Sequence, residues 1–213
     1  MKREIYPSLY QFGITIPNMG FTIHQYVLNG ESPVLFATGT VQQAEMFLPQ
    51  IKQLLNGKEV SYIVVSHIES DECGGLPVFL QEYPNAKILC SEIGARELPG
   101  YGIKAEIIAC NSETTVKDDH VEFQFIDYPA EFHLQNGILA FEKKSGILYS
   151  ADLFLRFGEG ADQCMDLEWE KEVASLTEQS VANKEKLVKL KEDLMEINPS
   201  FVAVGHGYCL KVR

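Results

Sequence analysis

The segment Tyr62-Ile63-Val64-Val65 is a short apolar run that leads directly into Ser66-His67-Ile68-Glu69-Ser70-Asp71-Glu72-Cys73-Gly74-Gly75. Four apolar residues bounded by polar ones and glycines read as a buried strand. His67, Glu69 and Asp71 then stand at every second position. A strand places alternate residues on one face, so one imidazole and two carboxylates can point the same way at the strand end. Gly74-Gly75 turns the chain into the apolar stretch Leu76 to Leu80, which opens a helix. Metal-capable side chains on a rigid strand end, followed by a tight turn, form half of a metal site. A polar loop after a strand carries the same signature.

The pattern recurs three times. Ile126-Asp127-Tyr128 leads to His133, Ile147 to Ala151 leads to Asp152, and Val202-Ala203-Val204-Gly205 leads to His206, held between two glycines. Chemistry in α/β proteins gathers at strand ends. A single histidine there is commonly a polar cap, and an aspartate commonly caps a turn. Four such ends in one chain point to a shared site.

Around these ends the chain alternates strands and helices. Strand patterns cover 5–11, 21–28, 33–37, 62–65, 87–90, 105–109, 120–128, 137–143, 146–150 and 201–204, with a hairpin signal at Asn29-Gly30 and another at Lys144-Ser145-Gly146. Residues 42–55 place apolar side chains at helical spacing, 76–83 and 91–98 are shorter helices, and 167–197 is the longest helical region, bent near Val181-Ala182-Asn183. No repeat or low-complexity linker interrupts residues 1–213, so one domain is expected, with two mixed sheets and outer helices as an arrangement that satisfies the order.

Charge narrows the partners. A net charge of -12 opposes binding to nucleic acid through phosphates or to an anionic membrane surface. No apolar run reaches the ~18 residues of a membrane span, and the N-terminus lacks a signal core. Five cysteines, with no Cys-x-x-Cys, suit free thiols in a cytoplasmic protein and exclude a rubredoxin-type iron site in this chain.

His67-x-Glu69-x-Asp71, followed in order by His133, Asp152 and Gly205-His206-Gly207, resembles the metallo-β-lactamase fold, and within it the di-iron domain of the flavodiiron proteins and the stand-alone oxygen-binding di-iron proteins related to them. Hydrolases of that superfamily carry two histidines where this chain has His67 and Glu69; a glutamate there marks the flavodiiron branch. The resemblance implies an αββα sandwich of two mixed sheets. It implies two iron ions: His67, Glu69 and His133 holding one, Asp71 and His206 the other, and Asp152 bridging them. It also implies dioxygen or nitric oxide as the molecule bound or reduced.

Two positions depart from the pattern. Glu72 stands where the motif usually ends in histidine, so that either Glu72 or His24, which falls where relatives commonly have asparagine, is a further candidate near the second metal. Ala37 stands where the superfamily often carries an aspartate. The chain shows no glycine-rich dinucleotide motif and no segment for a flavin, so electrons are expected from a separate flavoprotein or rubredoxin-type donor, or the protein senses oxygen without turnover. A homodimer is a candidate assembly. Zinc or manganese is the alternative metal, and the alternative function is a dinuclear zinc hydrolase of the lactonase, thioesterase or glyoxalase kind, which Glu69 and Glu72 both oppose.

Overall fold

The structure is a computed structural model that describes residues 2–16, 18–129, 136–158 and 160–213. The first half of the chain builds one sheet. Its strands are β1 (Lys2–Tyr6), β2 (Leu9–Ile16), β3 (Phe21–Leu28), β4 (Val34–Phe36), β5 (Tyr62–Val65), β6 (Lys87–Ser91) and β7 (Ile107–Cys110), which lie side by side in chain order. β1 to β4 pair antiparallel and β4 to β7 parallel. Helices α1 (Val41–Leu55), α2 (Ser70–Cys73), α3 (Leu76–Glu82) and α4 (Glu92–Glu97) lie in the connections.

The second sheet has the order β12 (Cys164–Leu167), β14 (Cys209–Val212), β13 (Phe201–Val204), β11 (Ile147–Ala151), β10 (Gly137–Glu142), β9 (Glu122–Tyr128) and β8 (Thr115–Lys117). It is also mixed: β11 runs parallel to β13 and antiparallel to β10. Two further helices, α5 (Trp169–Ser175) and α6 (Lys184–Met195), follow β12.

Strand alternation sorts the side chains into layers. On β5, Val64 faces the space between the sheets, while Ile63 and Val65 face the layer containing Phe47, Ile51 and Leu55 of α1 and Phe79 of α3. On β11, Tyr149 and Ala151 face inward and Leu148 packs outward with Leu187, Leu190 and Leu194 of α6. The result is the expected αββα sandwich. α1 starts at Thr40, whose hydroxyl accepts from Gln43 N while the Gln43 side chain reaches back to Thr40 N, a capping box. Asn56 ends it at φ 49. In the other outer layer, Trp169 donates from Nε1 to Leu194 O at 3.0 Å and packs edge-on against Phe154, with centroids 5.6 Å apart.

Several expected elements differ. Residues 5–11 form two strands, because Pro7-Ser8 makes a tight turn with Ser8 at φ 61. The extended conformation ends at Val65, so His67, Glu69 and Asp71 do not alternate along a strand: His67 and Glu69 lie in a bend and Asp71 in the first turn of α2. The helical region 167–197 is two helices separated by 176–183. β8, β12 and β14 have no counterpart in the sequence reading. No helix among the described residues is long and apolar enough to cross a membrane.

Phe123 fills the middle of the inter-sheet layer, with ring centroids 6.2 Å from Phe36, 6.3 Å from Tyr62 and 6.0 Å from Phe125. Phe123→Ala is predicted to lower the unfolding free energy by about 3–5 kcal/mol, read from the urea midpoint at constant slope. A loss under about 1 kcal/mol would mean that the sheets are not held by this layer.

Candidate metal centre

The candidate residues meet where the ends of β5, β11 and β13 converge at one edge of the sandwich. Two backbone hydrogen bonds cross the gap there. Ile138 N donates to Ser66 O at 3.0 Å, and His24 N donates to Gly205 O at 2.9 Å. The first fastens the exit of β5 to the second sheet, and the second fastens the exit of β13 to the first.

From these exits the side chains converge. His67 Nε2 lies 3.5 Å from Asp152 Oδ2 and 3.8 Å from Glu69 Oε2. His206 Nε2 lies 3.1 Å from Asp152 Oδ1 and 3.4 Å from Asp71 Oδ2. Asp152 thus directs one oxygen to each imidazole, and the five residues fall into two half-sites that share one carboxylate. Ligand atoms of His67, Glu69 and Asp152 all lie within 4.8 Å of one another. His133, the remaining candidate for the first half-site, lies outside the described residues.

Local backbone geometry aims each group. Ala151, just before Asp152, has φ 44, a left-handed conformation that turns Asp152 off the strand. Gly207 has φ +90, and a Cβ there would lie 2.4 Å from Arg156 O, so only glycine fits after His206. The His206 ring is fixed by Nδ1, 2.7 Å from Thr22 O, and by Phe21 stacked on it at 4.4 Å. Nδ1–H donating to that carbonyl leaves a lone pair on Nε2, facing two carboxylate oxygens. Acceptors facing acceptors repel unless a proton or a metal cation sits between them. An imidazole whose other nitrogen donates to a backbone carbonyl is also the common form of a metal ligand. The donor set fits a pair of metal cations.

The electrostatics agree. Burial works to lower the pKa of His67, but Glu69, Glu72 and Asp152 outweigh it and hold the imidazole up at about 9. His206 is likewise raised, with Asp152 and Asp71 overcoming burial. His24 goes the other way: buried, with Nδ1 3.2 Å from Val204 O, it is lowered to about 4 and stays neutral. Its Nδ1–H donates to that carbonyl, which leaves Nε2 as a lone pair with no hydrogen-bond partner, suited to accept or ligate rather than donate. Its ring lies over Gly13, where a Cβ would stand 2.9 Å from Cδ2.

Glu72 is oriented differently from the other acids. It is 4% exposed, its Oε2 accepts from Ser66 N at 3.2 Å and its Oε1 accepts a short hydrogen bond from the Tyr149 hydroxyl. Burial raises its carboxyl to about 7. Tyr149, Thr22 and Phe21 belong to the surroundings of the centre but were not singled out in the sequence. Alternation does place Tyr149 on the inner face, but no sequence signal says which acid its hydroxyl meets.

Comparison with known proteins gives a consistent result. The family model described as ODP family beta lactamase matches residues 21–207. The diflavin flavoprotein A 2 of Nostoc sp. is 30% identical over 138 residues, which is 63% of this chain and 24% of that protein. The rubredoxin-oxygen oxidoreductase of Megalodesulfovibrio gigas is 28% identical over 89 residues, 42% of this chain and 22% of that one. The crystal structure of the flavodiiron protein from Giardia intestinalis superposes with a TM-score of 0.76 at 19% identity, over 99% of this chain and 56% of that one. The chain spans 24% to 34% of the length of three curated relatives that it matches.

In the metal-free protein the raised histidine makes stability depend on pH. His67 titrates near 6.5 when unfolded and at about 9 when folded, so its contribution is complete below pH 6.5 and is lost as pH rises through 9. Glu72, raised from 4.5 to about 7, acts in the same direction at lower pH, its contribution being lost as pH rises through 7. The thermal midpoint of metal-free protein is therefore predicted to fall between pH 6.5 and 9, and a flat or rising midpoint over that range would contradict the arrangement.

Proposed function

The chain belongs to the ODP family of beta-lactamase-like proteins, and on that footing we propose that it is a non-haem di-iron protein that binds dioxygen. The observation that carries this reading is Asp152, with one oxygen toward His67 and the other toward His206 at 3.5 and 3.1 Å. In this reading His67, Glu69 and His133 hold one iron, Asp71 and His206 hold the other, and Asp152 bridges them. Two iron ions so held would supply open positions for dioxygen or nitric oxide and one electron each, with any further electrons coming from a donor.

The remaining chemistry belongs to the chain. Glu69 puts a negative charge where hydrolases of the superfamily have an imidazole, which would favour the higher oxidation state of a bound iron. Thr22 holds His206 through its Nδ1, at 2.7 Å, and fixes the direction of Nε2. Phe21 covers the His206 ring and is itself 5.9 Å from the exposed Phe157, so the approach on that side is apolar, which suits a small uncharged diatomic better than a charged ester. The His24 Nε2 lone pair is a further candidate contact for the second half-site, in line with its backbone bond to Gly205, the neighbour of His206. Glu72 is assigned no direct metal contact in this proposal; its two oxygens are turned to Ser66 N and to the Tyr149 hydroxyl.

Electrons come from a separate flavoprotein or rubredoxin-type donor in this proposal. The name of the rubredoxin-oxygen oxidoreductase of Megalodesulfovibrio gigas supports that class of donor and dioxygen as acceptor. Without such a donor the same chain would act as an oxygen sensor.

Protein purified without oxygen is predicted to hold about two irons per chain, and Asp152→Ala to lose most of both and to unfold at lower temperature. Tightly held zinc, no uptake of iron and fast lactone or thioester hydrolysis would replace the reading with a dinuclear hydrolase. Reduced protein mixed with air is predicted to oxidise once and stop, with NADH alone giving little turnover until a reductase and a rubredoxin-like carrier are added. Many turnovers with NADH alone would contradict the need for a donor.

A further inference from the structure

Glu72 is a carboxyl group buried between two segments that deliver candidate ligands from different sheets. One of its oxygens accepts from the backbone N–H of Ser66, the residue before His67, at 3.2 Å. The other accepts from the hydroxyl of Tyr149, on β11, three residues before Asp152. The group therefore spans from the His67–Asp71 loop to the strand that carries the shared carboxylate.

Both ends of this link are fixed. The carbonyl of Glu72 accepts from Thr38 N at 2.8 Å and from Thr38 Oγ1 at 3.0 Å, which stops α2 from rotating. The Tyr149 ring is fully buried, with centroids 5.5 Å from Phe36 and 6.2 Å from Tyr26, so its hydroxyl has one direction. Burying an acid is costly, and an apolar pair of the same volume would join the sheets without that cost. What an apolar pair lacks is direction. Hydrogen bonds fix a separation within a few tenths of an ångström, and dispersion contacts do not.

We propose that Glu72 is a positioning residue that acts through Tyr149 to set the spacing between the His67–Asp71 loop and Asp152 across the two sheets. This rests on the metal-centre reading above. It assigns to the one position where the motif lacks its final histidine a role other than ligation.

The test is anaerobic titration of metal-free protein with cobalt(II), read by its visible d–d bands, in the wild-type chain and in Glu72→Gln, Glu72→Leu, Tyr149→Phe and the Glu72→Leu/Tyr149→Phe double variant. Glu72→Leu and Tyr149→Phe are each expected to weaken cobalt binding by about 10–100-fold, and the double variant to be no weaker than Glu72→Leu, because both remove one link. Glu72→Gln can accept from Ser66 N–H and donate to the Tyr149 oxygen, and is expected to keep wild-type affinity and wild-type bands. Loss of an ion or shifted bands in Glu72→Gln would show that Glu72 is a ligand, and additive losses in the double variant would show that the two residues act separately. Either result overturns the proposal, as does unchanged affinity in Tyr149→Phe. If Glu72→Leu fails to fold, Glu72→Gln and Tyr149→Phe still decide. A wild-type chain that takes up no cobalt overturns the metal-centre reading itself, whereas normal wild-type uptake with any of the contrary results overturns only the role of Glu72.

Discussion

Two backbone hydrogen bonds, Ile138 N to Ser66 O and His24 N to Gly205 O, join the sheets where their strands end. The rest of the candidate centre depends on them. Side-chain packing between sheets tolerates sliding, because dispersion contacts are non-directional. A bond between backbones does not, because it fixes the donor against one acceptor. With Ser66 and Gly205 held, His67 and His206 start from set positions, and Asp152 at the end of the intervening strand β11 can reach both. Three carboxylates then crowd around two imidazoles. Such an arrangement is unfavourable as a set of lone pairs and favourable around cations or protons.

Most of the fold was legible because its central strands are short continuous apolar runs bounded by turn residues. Tyr62 to Val65, Ile147 to Ala151 and Phe201 to Val204 are apolar runs with turn residues at their ends, and they are strands in the structure. The elements that were not legible have weaker patterns. β14 is Cys-Leu-Lys-Val and β12 is Cys-Met-Asp-Leu; β12 pairs with β14 far along the chain, and β14 also pairs with the adjoining β13, so pairing rather than composition makes them strands. The helical periodicity runs on through Leu176, where the chain is extended, so the sequence points only to the C-terminal end of the break between α5 and α6.

The candidate residues were legible for a different reason. His67, Glu69, Asp71, Asp152 and His206 each sit at or just past an apolar run, and the two sheets bring those ends to one edge. His67, Glu69 and Asp71 do not share a strand face, because the extended backbone ends at Val65. They still converge, because a bend and the first turn of α2 replace the strand. Glu72 shows where sequence reasoning runs out. Its neighbour Asp71 is a candidate ligand, whereas the Glu72 carboxylate meets Ser66 N and the Tyr149 hydroxyl, and only the packing of the second sheet supplies that hydroxyl.

The chain has one tryptophan, and its surroundings give it an unintended use. Trp169 lies edge-on to Phe154, two residues beyond Asp152, while its indole N–H is tied to the end of α6. The single strong fluorophore is thus coupled through one aromatic contact to the turn that carries the shared carboxylate. A shift of that turn would alter the packing around the indole, which makes the emission of the unmodified protein a label-free readout to try for that turn.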